Sequence, residues 1–207
     1  MVLPPRRQAR APRHNRAMTD STPDSASPVP ATVRFARRED VPAIVGLIRE
    51  LAVYEHLEHL VRATPELLEP QLFGPRPGCE CLVGERADGA IVGFALFFHN
   101  FSTFLCKPGL YLEDLFVQPA ARGTGLGRDL LVALARIAME RDCGRFEWSV
   151  LDWNVSAQAF YERMGATLLP DWRMCRVTGE ALHRLAARGV KLEQSPPCPI
   201  TPPTRLR

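Results

Sequence analysis

YLEDLFVQPAARGTGLGRDLL, residues 111–131, predicts a buried strand, a short turn and then a helix with apolar residues at helical spacing. The turn contains Gly123 and Gly125, and Gly127 follows at the start of the helix. Glycine lets backbone N–H groups approach a ligand closely, and the helix dipole favours negative charge at the helix N-terminus. The stretch therefore predicts a binding site for an anion, such as a phosphate group, between the strand and the helix.

Composition indicates one folded domain and argues against membrane and nucleic-acid partners. The chain has 207 residues, of which 46% are hydrophobic, and none of its apolar runs reaches the ~18 residues of a membrane span. Its formal net charge is +3, and residues 1–30 carry that excess. The remaining residues are formally neutral and lack a basic stripe, which argues against nucleic acid as the main partner.

The six cysteines are scattered without the spacing of metal ligands. Cys79 and Cys81, two positions apart, would share one face of a strand rather than surround a metal. We therefore expect free structural thiols, no bound metal and a cytoplasmic location.

Low-complexity ends flank the predicted domain. Residues 1–30 are rich in Pro, Arg, Ser and Ala and show no periodicity, which predicts a disordered N-terminal extension. Met18 is an alternative start of the chain. Residues 194–207 are dense in proline and predict a disordered tail, so the folded domain is expected at 31–193.

Periodicity and turn signals predict a mixed α/β sheet packed by helices. Asp88-Gly89 predicts a hairpin turn, whereas later strands alternate with helices. The strands are expected at 33–35, 81–84, 91–98, 111–117, 146–150 and 172–178. The helices are expected to open at Val41, Thr64, Leu126 and Asn154, and Gly144 and Gly165 are expected to end the last two.

Two common phosphate motifs do not fit the glycine turn. A P-loop requires Lys after its glycines, and a Rossmann fingerprint requires a third glycine where Arg128 stands. The pattern Arg122-x-x-Gly125-x-Gly127 instead resembles the coenzyme A pyrophosphate signature of the GNAT family of N-acetyltransferases. Segments at 50–58, 91–98, 111–117, 150–154 and 160–166 are similar to its diamine acetyltransferase branch, which includes spermidine/spermine and thialysine acetyltransferases.

The resemblance implies a GNAT fold, with a mixed central β-sheet flanked by helices, and an enzyme that uses acetyl-CoA. It also implies a homodimer, and an acceptor that is the primary amine of a small molecule. A diamine, a polyamine, thialysine or a similar amino acid would fit that description. Acetyl transfer would occur by direct attack of the amine in a ternary complex.

Acetyl transfer to an amine sets three chemical demands. A free alkylamine has a pKa of about 10, so a base must accept its proton, while the oxyanion needs donors and the leaving thiolate needs an acid. By resemblance, Tyr161 is the acid, and Glu113 is either the base, through water, or the anchor of the amine. Because adjacent strand residues face opposite ways, at most one of Glu113 and Asp114 is expected in the site, and we favour Glu113. Spacing alone leaves open a core tyrosine and a carboxylate pair that only attracts a cation.

The family pattern assigns the coenzyme and the amine to different residues. Coenzyme A is expected to contact the strand end, the glycine turn and the start of the last helix, namely Leu115, Phe116, Val117, Arg122, Gly123, Thr124, Gly125, Leu126, Gly127, Arg128, Asn154, Ser156 and Tyr161. The amine is expected near Tyr54, Glu55, Glu113, Asp114, Trp148 and Asp171.

The loop at 101–109, FSTFLCKPG, departs from the polyamine enzymes, which carry an acidic residue and a tryptophan there. Its lower negative charge favours a smaller amine or an amino-acid side chain over a long polycation. Two other functions stay open: a peptide or protein N-acetyltransferase of the same fold, and a catalytically silent acyl-CoA-binding regulator. Glu113 and Tyr161 argue against the silent regulator.

Overall fold

The computed structural model describes residues 31–189, which form a five-stranded sheet with helices on both faces. The strands are β1 (Ala31–Phe35), β2 (Glu80–Arg86), β3 (Ile91–Ser102), β4 (Lys107–Val117) and β5 (Arg145–Trp148). The helices are α1 (Val41–Glu55), α2 (Pro65–Phe73), α3 (Leu126–Glu140), α4 (Val155–Arg163) and α5 (Gly179–Ala186), with 3₁₀ turns at Arg38–Asp40, Glu58–Leu60 and Pro119–Ala121. The tails predicted at 1–30 and 194–207, and the last residues of the predicted domain, lie outside the described residues.

The strands follow one another across the sheet in chain order. β1 to β4 are antiparallel neighbours, whereas β5 runs parallel to β4 after the α3 crossover. The predicted mixed α/β sheet is therefore confirmed. None of the helices within residues 31–189 is long and apolar enough to cross a membrane.

Two layers of apolar side chains cover the two faces of the sheet. α1 and α2 pack on one face, where Ile44 and Phe94 are fully buried. α3 packs on the other, where Leu130 and Phe97 are fully buried, and Tyr161 of α4 extends that layer. Since both faces of β3 are covered, its centre reads VGFALF (92–97), a continuous apolar run rather than an alternating one.

A pair of glycines in neighbouring strands receives the first residue of α3. Gly84 of β2 and Gly93 of β3 are register partners. A Cβ atom on Gly84 would lie 2.6 Å from Leu126 Cδ1, and one on Gly93 would lie 3.1 Å from Leu126 Cδ2. The absence of these side chains lets Leu126 pack directly on the sheet, where it is 2% exposed. This contact fixes the N-terminus of α3 relative to the strands.

α3 ends earlier than the sequence predicts. Its last residue is Glu140, before Gly144 is reached. The Cys143 N–H donates to the Ala138 carbonyl (2.8 Å), and Asp142 adopts the left-handed conformation with φ of 52°. The prediction that Gly144 ends this helix is therefore wrong, because Arg141 is the C-cap and Asp142 already turns the chain away.

The strand predicted at 172–178 is also wrong. These residues are exposed and form no strand. A strand needs a neighbour for its N–H and C=O groups, and no described strand pairs with this segment. The other predicted strands and helices are confirmed with small shifts of their ends, and Thr64 and Asn154 cap α2 and α4 through their side chains.

Gly84→Ala tests the contact that positions α3. The added methyl group overlaps Leu126, and overpacking of a buried site costs about 1–3 kcal/mol, so we expect a lower free energy of unfolding by chemical denaturation. Gly46→Ala is the matched control, because an added Cβ on Gly46 of α1 meets no atom within 4 Å. It should raise stability by about 0.5–1 kcal/mol. Equal effects of the two substitutions would contradict the role of the Leu126 contact.

Candidate active site

β4 and β5 separate beyond the middle of β4. Their parallel register ends where Leu112 lies opposite Trp148, the last residue of β5. β4 continues to Val117, so the β5-facing edge of residues 113–117 has no strand partner. Backbone N–H and C=O groups on this open edge can pair with an extended ligand. A Cβ atom on Gly127 of α3 would lie 3.9 Å from Val117, so the start of α3 borders the same gap.

β4 contains a bulge at Glu113. Leu112 and Asp114 pair with consecutive residues of β3, which leaves Glu113 without a partner there. Alternation shifts at this point, since Leu112 and Leu115 both pack on the α3 side of the sheet. The expectation that alternation leaves at most one of Glu113 and Asp114 in the site rested on a regular strand, and that premise is wrong. The bulge breaks the alternation between these two carboxylates.

Three carboxylates, Glu55, Glu113 and Asp114, form an acidic cluster near the bulge. Burial raises the pKa of Asp114 to about 6, and the charges of Glu113 and then Glu55 contribute to the increase. Burial also raises the pKa of Glu55. A cation bound among these side chains would offset their mutual repulsion. The described residues contain no group of three or more His, Cys, Asp or Glu side chains placed to hold a metal ion.

Tyr161 of α4 is buried against other aromatic rings. Its ring centroid lies 5.1 Å from that of Trp148 and 5.3 Å from that of Phe160. Burial, and then the charge of Glu55, raises the pKa of Tyr161 to about 12. The hydroxyl therefore keeps its proton at neutral pH and can donate it. The charge of Glu55 raises the pKa of both Tyr161 and Asp114, so the tyrosine lies within the electrostatic range of the acidic cluster.

The glycine turn before α3 has the geometry of an anion site. Gly123 and Gly125 have φ of 79° and 92°, a conformation that residues with side chains rarely adopt. Thr124 Oγ1 donates to a carbonyl of the preceding 3₁₀ turn (2.9 Å) and accepts from the Leu126 N–H (3.4 Å), which fixes the turn. The first N–H groups of α3 lack acceptors within the helix and lie at the positive end of its dipole. This arrangement fits the pyrophosphate of a coenzyme.

Asn154 caps α4 and also contacts α1. Its Oδ1 accepts hydrogen bonds from the Ala157 N–H (3.2 Å), the Ser156 hydroxyl (3.1 Å) and the Tyr54 hydroxyl (3.2 Å). The bond from Tyr54 joins the last turn of α1 to the first turn of α4.

Arg122 lies against two aromatic rings at the start of the glycine turn. Its Cζ is 5.1 Å from the ring centroid of Tyr54 and 5.7 Å from that of Phe116. Its Nε donates to the Val117 carbonyl (3.0 Å). These contacts hold a positive charge between the open edge of β4 and the N-terminus of α3.

The structure brings most of the predicted residues to one region. Arg128 forms a salt bridge with the adjacent Asp129 (2.9 Å), and its guanidinium lies beside the glycine turn, since a Cβ atom on Gly125 would lie 3.2 Å from Arg128 Nη2. Asp171 lies in the exposed segment after α4, and no hydrogen bond or salt bridge of the described residues joins it to the site. A neighbour that the sequence analysis did not predict is Trp153, whose ring centroid lies 5.8 Å from that of Tyr54. In the sequence, only its position next to the cap residue Asn154 indicates that Trp153 lies near the site.

Asp114→Asn tests the electrostatics of the acidic cluster. Because the pKa of Asp114 in the folded protein, about 6, lies above its ordinary value of 3.8, the folded state binds this proton more tightly. Stability therefore falls as the pH rises from about 4 to about 6. Asparagine cannot ionise, so the variant should gain up to about 3 kcal/mol over the native protein at pH 8 and little at pH 4.

Chemical denaturation at both pH values measures this difference. Asp171→Asn is the control, because Asp171 is exposed and outside the cluster. An Asp114→Asn difference that is the same at pH 4 and pH 8 would contradict the shifted pKa.

Known proteins resemble this chain over most of its length. The model of the acetyltransferase (GNAT) family matches residues 34–166. An L-ornithine N5-acetyltransferase of Arabidopsis thaliana is 34% identical, over 79% of this chain and 97% of its own length. The thialysine N-epsilon-acetyltransferase of Mus musculus is 37% identical, over 75% of this chain and 97% of its own. A solved integron cassette protein from the mobile metagenome of V. cholerae is 28% identical, with a TM-score of 0.64 over 75% of this chain and 97% of its own.

Proposed function

The chain belongs to the acetyltransferase (GNAT) family, and we propose that it acetylates the side-chain amine of a small amino acid by direct attack in a ternary complex. The family match and the N-acetyltransferases among its relatives show an enzyme that transfers acetyl to an amine. The predicted family, fold and enzyme class are therefore confirmed. Enzymes of this family use acetyl-CoA as the acetyl donor.

Acetyl-CoA supplies an acetyl group that is activated as a thioester. In our proposal the N–H groups of residues 123–128 and the charge of Arg122 hold its pyrophosphate. The open edge of residues 115–117 pairs with its pantetheine arm, and Asn154 and Ser156 contact the coenzyme from α4. The positive φ angles of the glycine turn and the unpaired edge of β4 support this arrangement.

The acidic cluster is the proposed binding site of the amine. The observation that carries this proposal is the position of Glu113, which directly follows Leu112, the residue opposite Trp148 in the β4–β5 register. The Trp148 ring lies 5.1 Å from that of Tyr161, so an ammonium group attracted to the carboxylates would lie near the tyrosine. The charge of Glu55, which raises the pKa of both Asp114 and Tyr161, supports this placement. Glu113 is the exposed member of the cluster, and we assign it the proton of the amine, taken directly or through water. Trp148 forms an apolar wall beside Tyr161.

Tyr161 is the proposed acid for the departing sulfur. A hydroxyl with a pKa of about 12 stays protonated at neutral pH, so it is available as a donor to the sulfur while negative charge develops there. Burial of its ring against Trp148 and Phe160 fixes the direction of the hydroxyl.

The proposed substrate class rests on the relatives and on the β3–β4 loop. Ornithine and thialysine, the substrates named for the two relatives, are both amino acids with a primary amine at the end of the side chain. Residues 101–109 contain no acidic residue, and Lys107 brings a positive charge that pairs with Asp142 (2.6 Å). A short amino acid suits this loop better than spermine, which needs negative charge along its length.

We further propose a homodimer in the cytoplasm. Large apolar side chains are exposed after α4, namely Leu168, Leu169, Trp172, Met174, Val177, Leu182 and Leu185. A second copy of the chain covering them would remove this apolar surface from water. The cysteines of the described residues are free thiols, as expected in a reducing compartment. Light scattering that gives the mass of one chain would contradict the dimer.

A panel of amines tests the proposed reaction. The purified chain, acetyl-CoA and ornithine, thialysine, lysine, putrescine, spermidine or an aminoglycoside would be mixed, and release of free thiol would be followed. We expect the highest kcat/KM with the amino acids. Acetylation of peptides alone would support a protein N-acetyltransferase instead. Coenzyme binding without thiol release from any acceptor would support a silent regulator.

Tyr161→Phe separates catalysis from packing in the same assay. Phenylalanine keeps the ring contacts and removes the donor, so kcat should fall by about 10²-fold while the dissociation constant of acetyl-CoA stays within about twofold. Calorimetry measures the binding, and thiol release measures kcat. Unchanged turnover, or an equal loss of coenzyme binding, would show that Tyr161 is a core residue rather than the acid.

A further inference from the structure

Two parts of the proposed coenzyme site meet at Tyr54, on the last turn of α1. Its hydroxyl donates a hydrogen bond to Asn154, the cap residue of α4, and its ring lies against Arg122 of the glycine turn. We infer that Tyr54 is a positioning residue for the coenzyme, and that it does not contact the amine. This inference rests on the proposed function, because it requires coenzyme A to occupy the glycine turn.

The hydroxyl of Tyr54 fixes the orientation of the Asn154 amide. Asn154 Oδ1 already accepts from the Ala157 N–H and the Ser156 hydroxyl, and Tyr54 is the third donor at 3.2 Å. With three donors at one oxygen, the amide cannot rotate without losing all of them. The NH₂ group of Asn154 is thereby turned away from the helix end and left as a donor for a ligand. Removing the Tyr54 hydroxyl leaves the NH₂ group of Asn154 in place but fixes its orientation less firmly.

The ring of Tyr54 limits the freedom of Arg122. Its Cζ lies 5.1 Å from the ring centroid of Tyr54 and 5.7 Å from that of Phe116, while its Nε donates a hydrogen bond to the Val117 carbonyl. Ordering a free arginine side chain costs conformational entropy, because the side chain has many rotamers. Contact with two rings restricts the guanidinium before the ligand binds, which lowers the entropy cost of using its remaining N–H donors.

Tyr54 is itself held on the coenzyme side. The Trp153 ring lies 5.8 Å from its centroid and 6.4 Å from that of His56. His56 ends α1 in the left-handed conformation, with φ of 60°, so the chain turns away directly after this helix. These contacts pack the last turn of α1 against the segment that precedes α4.

Adjacent residues of α1 therefore serve different ligands. Side chains one position apart on a helix point about 100° from each other. Tyr54 points to the cap of α4 and the glycine turn, whereas Glu55 acts on Asp114 and Tyr161. The prediction from the sequence, which places both Tyr54 and Glu55 near the amine, does not distinguish these two directions.

Tyr54→Phe and Tyr54→Leu test the inference by calorimetry with coenzyme A. Phenylalanine keeps the ring against Arg122 and removes the hydroxyl, so we expect the dissociation constant to rise about three- to tenfold. Leucine also removes the ring and should weaken binding by about a further threefold. In turnover assays the KM of acetyl-CoA should rise in the same order, while the KM of the amine stays constant.

Tyr111→Phe is the matched control. Tyr111 donates or accepts a hydrogen bond with Ser149 (2.8 Å), so its replacement also removes one tyrosine hydroxyl contact, but outside the glycine turn. Its coenzyme affinity should equal that of the native protein, and the melting temperatures of the two phenylalanine variants should agree closely.

A native protein that does not bind coenzyme A overturns the proposed function itself. A native protein that binds, together with a Tyr54→Phe variant of equal affinity, overturns only the role of Tyr54. A variant in which the amine KM rises and coenzyme affinity is unchanged assigns Tyr54 to the amine and overturns the inference as well.

Discussion

Glu113 is an extra residue of β4 between two consecutive pairs with β3, and the backbone must bend to absorb it. The bend comes directly after Leu112, where pairing with β5 ends. These two events share a cause, because a strand that twists away at a bulge cannot stay in register with a short parallel neighbour. The open edge, the gap and the presentation of Glu113 all follow from that extra residue.

The same geometry explains why carboxylates are tolerated where they repel one another. Asp114 is buried next to Glu113 and within reach of the charge of Glu55, so its ionised form is disfavoured and its pKa rises to about 6. A fold selected only for stability would replace one of these groups with a neutral side chain. A site that binds a cation gains attraction from each charge, and stability lost in the free protein is recovered on binding.

Local signals predicted the caps and the glycine turn, whereas features that depend on strand pairing were missed. Asn154 caps its helix whatever lies around it, and Gly125 is recognisable because few other residues accept its conformation. The bulge at Glu113 depends on the register of two strands, and no residue in YLEDLFV marks it. The segment at 172–178 contains the apolar residues Trp172, Met174 and Val177, but it has no described neighbour with which to pair. Local composition gives a preference for a strand, and pairing decides whether the strand forms.

In the proposed site, one short segment, the last turn of α1, provides groups for both the coenzyme and the amine. Tyr54 is tied to Asn154 and Arg122 by contacts that depend on an aromatic ring and a hydroxyl. Glu55 needs only a negative charge near Tyr161 and Asp114. In the proposed site, substitutions at Glu55 would therefore change the preferred amine while the coenzyme site keeps its shape. Because Tyr54 and Glu55 lie on the same helix end, a displacement of that helix end by one ligand would shift the residue proposed to serve the other.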